Sequence, residues 1–136
     1  MIRSINHITF AVKDLEKSFK FYTEILGLEP IAKWQNGAYL RAGDTWVALN
    51  FDKKVITSVY NDYSHIAFTC LGSEFVELKT KLLNFGSSEW SENKSEGESF
   101  YFTDPDGHKL EIHVGDLDSR LKEMHDNPWD TFDYFR

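Results

Sequence analysis

The chain has 136 residues, enough for one domain with a substantial core, and its 15% aromatic and 41% hydrophobic content excludes disorder as the main state. A net charge of −7 argues against non-specific nucleic-acid binding, and no apolar run reaches the ~20 residues that a membrane span needs. The single cysteine, Cys70, excludes an internal disulfide and fits a reducing cytoplasm. From the charge, the hydropathy and the cysteine together, we expect a cytoplasmic protein that binds neither nucleic acid nor a membrane.

The first part of the chain predicts strands around one helix. Residues 5–12 alternate between apolar and polar side chains and predict a first strand. Asp14 is placed to cap a helix that Gly27 ends. Two further strands are predicted over residues 37–41 and 45–51.

The same pattern then begins again, after a polar, turn-rich segment that we interpret as a linker. HIAFTC at 65–70 echoes HITFAV at 7–12, and Ser73 is placed to cap a second helix that ends at Gly86. Two strands complete the copy, over residues 99–102 and 109–114.

The repeat predicts an α+β fold made of two tandem βαβββ modules that form a curved mixed sheet around a cavity. The first module covers about residues 1–52 and the second about 63–115, within one domain of residues 1–136. A short helix and an aromatic tail follow over residues 116–136, and we expect the tail to pack on the body or on a partner.

Each predicted strand has one apolar face, which the helices would cover, and one face that carries polar groups. Many polar groups on the same side of a curved sheet predict the lining of a small-ligand cavity. These positions are His7, Thr9, Tyr39, Trp46, Asn50, His65, Ser99, Tyr101, Glu111 and His113.

Glu111 lies in an apolar strand, where an unpaired carboxylate is costly to desolvate. Aligning the two modules places Glu111 opposite Ala48 and His65 opposite His7. Two imidazoles and one carboxylate on a shared face suit a divalent metal such as Mn, Fe, Ni or Zn. The alternative is that both histidines are ordinary strand residues and that Glu111 bonds a backbone or basic group.

Three other residues have less evident roles. His113 shares the face of Glu111, and we expect it to be the exposed end of its strand rather than a partner of the carboxylate. His108 lies in an Asp-Pro-Asp-Gly turn, where we expect it to be solvated. Cys70 is expected to be a small core residue rather than a nucleophile.

Together these motifs resemble the vicinal-oxygen-chelate superfamily and, more closely, the FosA-type fosfomycin-resistance glutathione transferases. The matching stretches are NHITFAV at 6–12, GAYL at 37–40, Gly-Asp-x-Trp at 43–46, HIAF at 65–68, NKSEG-x-SFYF at 93–102 and DPDGHKLE-x-HVG at 104–115. The resemblance implies an enzyme that opens the epoxide of fosfomycin with glutathione.

The resemblance also implies a metal centre shared between two subunits. His7 of one subunit, with His65 and Glu111 of the other, would bind Mn(II), or Zn, Fe or Ni in its place. The implied assembly is a domain-swapped homodimer with two shared sites.

Further residue roles are implied in the same way. The implied catalytic residues are Thr9 and Tyr39, of which Tyr39 would help to deprotonate the glutathione thiol, and Trp46 would line the wall near the reacting carbon. The implied phosphonate ligands are Thr9, Ser95, Ser99, Tyr101 and Arg120. The implied potassium ligands are Asn93, Ser95, Gly97, Ser99 and Tyr101.

One position departs from the family pattern. The family commonly carries a lysine that reaches the phosphonate just after a tryptophan, and this chain has Ser91 after Trp90. We therefore expect weaker phosphonate binding than in close relatives, unless another base such as Arg41 compensates.

The sequence leaves two groups of alternative functions open. The first comprises a related thiol transferase and an epoxide hydratase of the same superfamily, although the glutamate base of the hydratases has no clear equivalent here. The second is a metal-free drug-sequestering protein of the bleomycin-binding kind, which needs no metal ligands.

Overall fold

The computed structural model describes residues 1–56 and 61–135. The elements are, in chain order, β1 (His7–Val12), α1 (Leu15–Lys20), a π-helical turn (Phe21–Ile25), β2 (Glu29–Trp34), β3 (Gly37–Ala42), β4 (Thr45–Phe51), β5 (Ile66–Thr69), α2 (Phe75–Phe85), β6 (Glu89–Ser91), β7 (Ser99–Thr103), β8 (Lys109–His113) and α3 (Leu117–Asp126). This order confirms the α+β class and the tandem βαβββ pattern. Among the described residues, no helix has the length and apolar character needed to cross a membrane.

The helix ends follow the local sequence with one exception. The Asp14 carboxylate accepts a hydrogen bond from the Lys17 amide at 3.0 Å, which caps α1 as predicted. Gly86 ends α2 with φ +97°, a conformation that favours glycine. The prediction that Ser73 caps α2 is wrong, because Ser73 lies within a turn and the helix begins after Glu74.

The strands form two four-stranded mixed sheets, in the order β1-β4-β3-β2 and β5-β8-β7-β6. The pairs β1–β4 and β5–β8 are parallel, and the other pairs are antiparallel. The two registers are equivalent, since Tyr39 faces Ala48 in the first sheet and Tyr101 faces Glu111 in the second. Strands β1 and β5 therefore occupy corresponding sheet edges.

The apolar faces of both sheets, together with α1 and α2, form a common core that joins the modules. Phe21, from the first module, has its ring centroid 5.1 Å from that of Phe85 and 6.3 Å from that of Phe102, both from the second module. Cys70 packs against this core as a partly buried side chain, as predicted.

A buried polar contact also joins the modules at the Asp-Pro-Asp-Gly turn. The Tyr22 hydroxyl donates to Asp104 Oδ2 at 2.6 Å, and the amides of Asp106 and His108 each donate to Asp104 Oδ1 at 2.9 Å. Burial raises the pKa of the Asp104 carboxyl, while the nearby His108 and these hydrogen bonds lower it in part.

Two further contacts extend this junction. The Lys13 amide donates to Asp106 Oδ1 at 2.9 Å, and His108 Nε2 donates to the Ala11 carbonyl at 2.8 Å. The expectation that His108 is solvated is therefore wrong. The turn that carries it folds against the end of β1 in the other module.

The aromatic tail lies partly against α3. Phe132 and Tyr134 line a cleft of about 530 Å³ with residues of α3 that include Leu121. Trp129 and Phe135 are exposed. The tail therefore packs on the body only in part.

Candidate metal and substrate site

The structure brings His65 and Glu111 together on the polar face of the second sheet. His65 Nε2 lies 2.9 Å from Glu111 Oε1, and the Glu111 side chain is 9% exposed. Glu111 reaches this position because β8 is a central strand, between β5 and β7.

The hydrogen bond of the other His65 nitrogen defines what Nε2 can do. His65 Nδ1 lies 2.7 Å from the Tyr63 carbonyl oxygen, which can only accept, so Nδ1 carries the hydrogen. In the neutral ring, Nε2 then presents a lone pair to a carboxylate oxygen. Two acceptor atoms at 2.9 Å repel each other unless a proton or a metal cation lies between them.

The same pair fits a metal ion in its dimensions. With metal–ligand bonds of about 2.1 Å, a nitrogen–oxygen separation of this size corresponds to a ligand–metal–ligand angle of roughly 90°. A histidine that binds a metal through one ring nitrogen usually donates the N–H of the other nitrogen to a carbonyl or carboxylate, as His65 does to the Tyr63 carbonyl. The donor set and its spacing therefore fit a divalent metal.

The second oxygen of Glu111 is held from the opposite side. Ser99 Oγ donates to Glu111 Oε2 at 2.6 Å and lies 2.6 Å from His113 Nδ1. The His113 side chain is 14% exposed, and its Nδ1 lies 3.5 Å from Glu111 Oε2. The expectation that His113 is merely the exposed strand end is therefore wrong. The alternation of side chains along a strand (side-chain parity) predicts the face on which a side chain lies but not its contacts.

His7 lies apart from this pair in a single chain. Its Nδ1 donates to Asn6 Oδ1 at 2.6 Å, and its ring packs against that of Trp46 with centroids 4.4 Å apart and a tilt of 34°. Within the described residues, His7, His65 and Glu111 do not form a set whose ligand atoms all lie within 4.8 Å of one another. Like His65, however, His7 has its Nδ1 engaged and its Nε2 available.

Another cluster does meet that distance limit, at Asp104, Asp106 and His108. Its polar atoms are already occupied by the hydrogen bonds that join the modules. We assign it a structural role.

The other predicted residues of the first module share the face of His7. Thr9 lies opposite Ala48, and Tyr39 faces Ala48 from the other side. The Tyr39 ring stands edge-on to Trp46 at 5.0 Å and to Trp34 at 4.8 Å. The face is thus an aromatic wall with the Thr9 hydroxyl beside it.

The loop before β7 is closed by its own hydrogen bonds. Asn93 Nδ2 donates to the Gly97 carbonyl at 2.8 Å, and Asn93 Oδ1 accepts from both the amide and the hydroxyl of Ser95 at 3.1 Å. Gly97 has φ +79°, and a side chain there would meet the Val114 carbonyl at 2.4 Å. The loop gathers several oxygen atoms next to Ser99.

Arg120 lies against this loop. Its Nε is 3.6 Å from Glu96 Oε2, too far for a hydrogen bond, and both atoms are buried without a hydrogen-bond partner in the described residues. The two side chains therefore form an ion pair without a hydrogen bond between Nε and Oε2.

Tyr63 is a residue near the site whose role sequence reasoning missed. Its hydroxyl lies 3.5 Å from that of Tyr101, and its ring stands edge-on to His65 at 4.9 Å. The contact with Tyr101, burial and the Glu111 carboxylate raise the pKa of Tyr63 to about 12, while Arg120 opposes the shift. Its position two residues before the HIAF motif was the signal that could have found it.

Ser91 lies at the position that we compared with the family lysine. In the antiparallel pairing of β6 and β7 it stands opposite Tyr101. The neighbouring Trp90 packs edge-on against Tyr101 at 5.2 Å, and the Lys109 ammonium lies 4.9 Å from the centre of the Trp90 ring. Arg41, the suggested substitute, lies 3.8 Å from Glu29. The position therefore carries a hydroxyl instead of a cation.

A cleft of about 740 Å³ is lined by residues of both sheets, including Ile8, Phe68, Ile112 and His65. It is mainly apolar, unlike the predicted polar cavity. In one chain the polar face of the first sheet is open, since Tyr39 and Trp46 are 38% and 37% exposed, whereas Tyr101 and Glu111 of the second sheet are buried.

Comparison with known proteins gives consistent matches. Residues 4–112 match the Glyoxalase/Bleomycin resistance protein/Dioxygenase superfamily. The chain is 48% identical over 131 residues to the glutathione transferase FosA of Serratia marcescens, covering 95% of this chain and 93% of that one. It is 40% identical over 126 residues to the metallothiol transferase FosB of Staphylococcus epidermidis, covering 89% and 90%.

Among solved structures, the chain is similar to the fosfomycin resistance protein FosX of Listeria monocytogenes in complex with Mn(II) and sulfate. The TM-score is 0.78 at 31% identity, covering 92% of this chain and all of the other. These relatives confirm the FosA-type resemblance that the motifs predicted.

Proposed function

This chain belongs to the Glyoxalase/Bleomycin resistance protein/Dioxygenase superfamily, and from that premise we propose that it is a metal-dependent glutathione transferase that inactivates fosfomycin by adding glutathione to its epoxide. The observation that carries the proposal is the pair of acceptor atoms, His65 Nε2 and Glu111 Oε1, held 2.9 Å apart on a polar face. The 48% identity to a FosA glutathione transferase supports the choice of reaction and thiol.

The proposed metal ligands are His7, His65 and Glu111, and Mn(II) is the proposed ion because a FosX relative was solved with it. Bound there, the ion would supply Lewis acidity to the epoxide oxygen, whose bond to the neighbouring carbon breaks as the glutathione sulfur bonds to that carbon. The chain contributes two histidines with Nε2 available and a carboxylate whose second oxygen is fixed by Ser99.

We propose a homodimer in which His7 of one subunit completes the site of the other. His7 does not reach His65 and Glu111 within one chain, whereas β1 and β5 both lie at sheet edges. Open edge strands can pair with another chain. In the proposed dimer, β1 of one subunit would lie beside β5 of its partner, so that His7 would come next to the second module's ligands.

The proposed phosphonate ligands are the hydroxyl groups of the polar faces together with one cation. They are Thr9, Ser95, Ser99, Tyr101 and Arg120. Arg120 provides the positive charge, since its ion pair with Glu96 at 3.6 Å leaves Nε without a hydrogen-bond partner among the described residues.

The proposed potassium site is the Asn93–Gly97 loop with Ser99 and Tyr101. Carbonyl, amide and hydroxyl oxygens are the donors that a hard monovalent cation takes, and the loop already holds those of Asn93, Ser95 and Gly97 close together. A potassium ion there would also offset the negative charge of a phosphonate.

The attacking thiol comes from glutathione in this proposal. Cys70 is a poor nucleophile, because burial and the nearby Glu74 and Glu98 raise the pKa of its thiol and its side chain packs against the core. Tyr39, on the open aromatic wall, is the proposed group that helps to deprotonate glutathione, and Trp46 is the proposed wall beside the reacting carbon.

The direct test incubates the protein with Mn(II), potassium, fosfomycin and glutathione and measures the products by mass. The thioether adduct is expected. Formation of the diol would indicate a hydratase, and an adduct formed only with another thiol would indicate a related thiol transferase. Unmodified fosfomycin bound without metal would indicate a sequestering protein, and each of these outcomes overturns the proposal.

A mixing experiment tests the shared site. His7→Ala and Glu111→Ala proteins should each be inactive, but equal amounts refolded together should regain about a quarter of wild-type activity by random pairing of subunits. If all three ligands came from one chain, no mixed dimer would contain an intact site. Failure to regain activity, with mixed dimers present, would therefore refute the shared site.

A further inference from the structure

We infer that His113 is a positioning residue, which acts through Ser99 to fix the Glu111 carboxylate for metal binding. The inference rests on the proposed metal-dependent function and deepens it. It concerns a histidine outside the proposed ligand set that lies two residues from Glu111 on the same strand face.

The hydrogen-bond chemistry assigns a direction to this chain of contacts. The Glu111 carboxylate, when ionised, can only accept, so before a phosphonate binds the one Ser99 hydroxyl hydrogen points to Glu111 Oε2, 2.6 Å away. Ser99 Oγ can then only accept from His113 Nδ1, also 2.6 Å away. His113 Nδ1 must therefore carry a hydrogen, and the chain runs from His113 through Ser99 to Glu111.

The surrounding backbone holds the His113 ring in this orientation. A Cβ atom at Gly97 would lie 3.0 Å from His113 Cε1, and one at Gly115 would lie 3.0 Å from His113 Nε2. Both distances are closer than ordinary carbon contacts, so only glycine leaves room for the ring at these two positions. The Nε2 edge is enclosed by the two glycines, and the Nδ1 edge is left facing Ser99.

This arrangement has a consequence for the two ends of the carboxylate. Oε2 is held by Ser99, which leaves Oε1 directed at His65 Nε2 and available to a cation. Groups that orient a ligand in this way typically change metal affinity 10–100-fold when removed. The ring also lies beside Gly97, so one side chain is positioned between the Asn93–Gly97 loop and the carboxylate.

The test measures Mn(II) affinity of the full-length protein by the electron paramagnetic resonance signal of the free ion, with circular dichroism to verify folding. His113→Phe keeps a ring between the glycines but removes the donor, and should raise the Kd for Mn(II) by about 10–100-fold. His113→Asn places an amide nitrogen at the position of Nδ1 and should restore most of the affinity. His125→Ala, which removes an exposed histidine on α3, is the matched control and should leave the Kd unchanged.

Ser99→Ala gives a second route to the answer if His113→Phe does not fold, and it should raise the Kd in the same way. A folded His113→Phe or Ser99→Ala protein with wild-type affinity would overturn the inference. So would an equal loss in His113→Asn and His113→Phe, because the effect would then lie in ring shape and not in the donor. A wild-type protein that binds Mn(II) but forms no adduct would refute the proposed function and leave this comparison valid.

Discussion

Replacing Tyr22 with phenylalanine removes one atom from the buried junction between the modules and leaves the ring packing in place. Tyr22 is fully buried, and its hydroxyl donates to Asp104 Oδ2 at 2.6 Å. In the variant, that oxygen keeps its burial but loses its side-chain donor. Asp104 Oδ1 still accepts from the amides of Asp106 and His108.

The expected cost follows from the charge and burial of the acceptor. A hydrogen bond to a charged group contributes about 1.5–3 kcal/mol, and a buried acceptor without a donor also keeps its desolvation cost. We therefore expect Tyr22→Phe to lower the free energy of unfolding by about 1.5–3 kcal/mol at neutral pH. For a chain of this length, that corresponds to a fall in Tm of roughly 5–15 °C.

The pH dependence gives the prediction a sign. Burial already raises the pKa of Asp104 above 3.8, and the Tyr22 hydrogen bond opposes that rise, so the variant should raise this pKa further. A carboxyl with a raised folded-state pKa loses stability as pH rises from 3.8 through that pKa. The destabilisation should therefore be complete at neutral pH and shrink as pH falls toward 3.8.

Urea denaturation followed by circular dichroism, at several pH values, measures both effects. Tyr134→Phe, which removes a hydroxyl from the exposed tail, is the control and should change stability little. A Tyr22→Phe protein within about 0.5 kcal/mol of wild type at neutral pH, the range of ordinary surface changes, would refute the reasoning. So would a destabilisation that grows in acid.

Three other variants test separate parts of the site. Ser91→Lys should lower the KM for fosfomycin tenfold or more, because a charged hydrogen bond to the phosphonate contributes about 1.5–3 kcal/mol; an unchanged KM in steady-state assays would contradict it. Gly97→Ala should abolish activation by potassium, since the added Cβ would meet the Val114 carbonyl at 2.4 Å. Gly72→Ala, whose added Cβ has only an ordinary contact at 3.6 Å, should retain that activation. Cys70→Ser should still form the glutathione adduct, and loss of the adduct in a folded variant would show that the attacking thiol is not external.

The sequence predicted the strands that carry the polar faces but missed two others. All six residues of β2 are exposed, so the strand has no alternating apolar pattern, and its register shifts between Pro30 and Ala32. Strand β6 has only three residues, too short for periodicity to indicate it. Their places come from pairing with β3 and β7, which is long-range information.

For the site, the repeat and side-chain parity were enough to predict that His65 and Glu111 share a face. They could not predict the contacts of His108 or His113. His108 meets the Ala11 carbonyl across 97 positions of sequence, and His113 is enclosed by two glycines from different segments. Parity likewise placed His7 on the correct face of its own sheet, but it carries no information on how the two sheets are arranged.

The junction at the Asp-Pro-Asp-Gly turn also constrains the order in which the chain can fold. Its hydrogen bonds join residues 82, 93 and 97 positions apart, so none can form before nearly the whole chain has been synthesised. Until then, the first module exposes the apolar surface of Phe21 and the core residues around it. Long-range contacts of this kind slow folding and leave apolar surface open to aggregation. The two modules, although similar in sequence, should therefore fold as one cooperative unit, with docking of the modules as the late step.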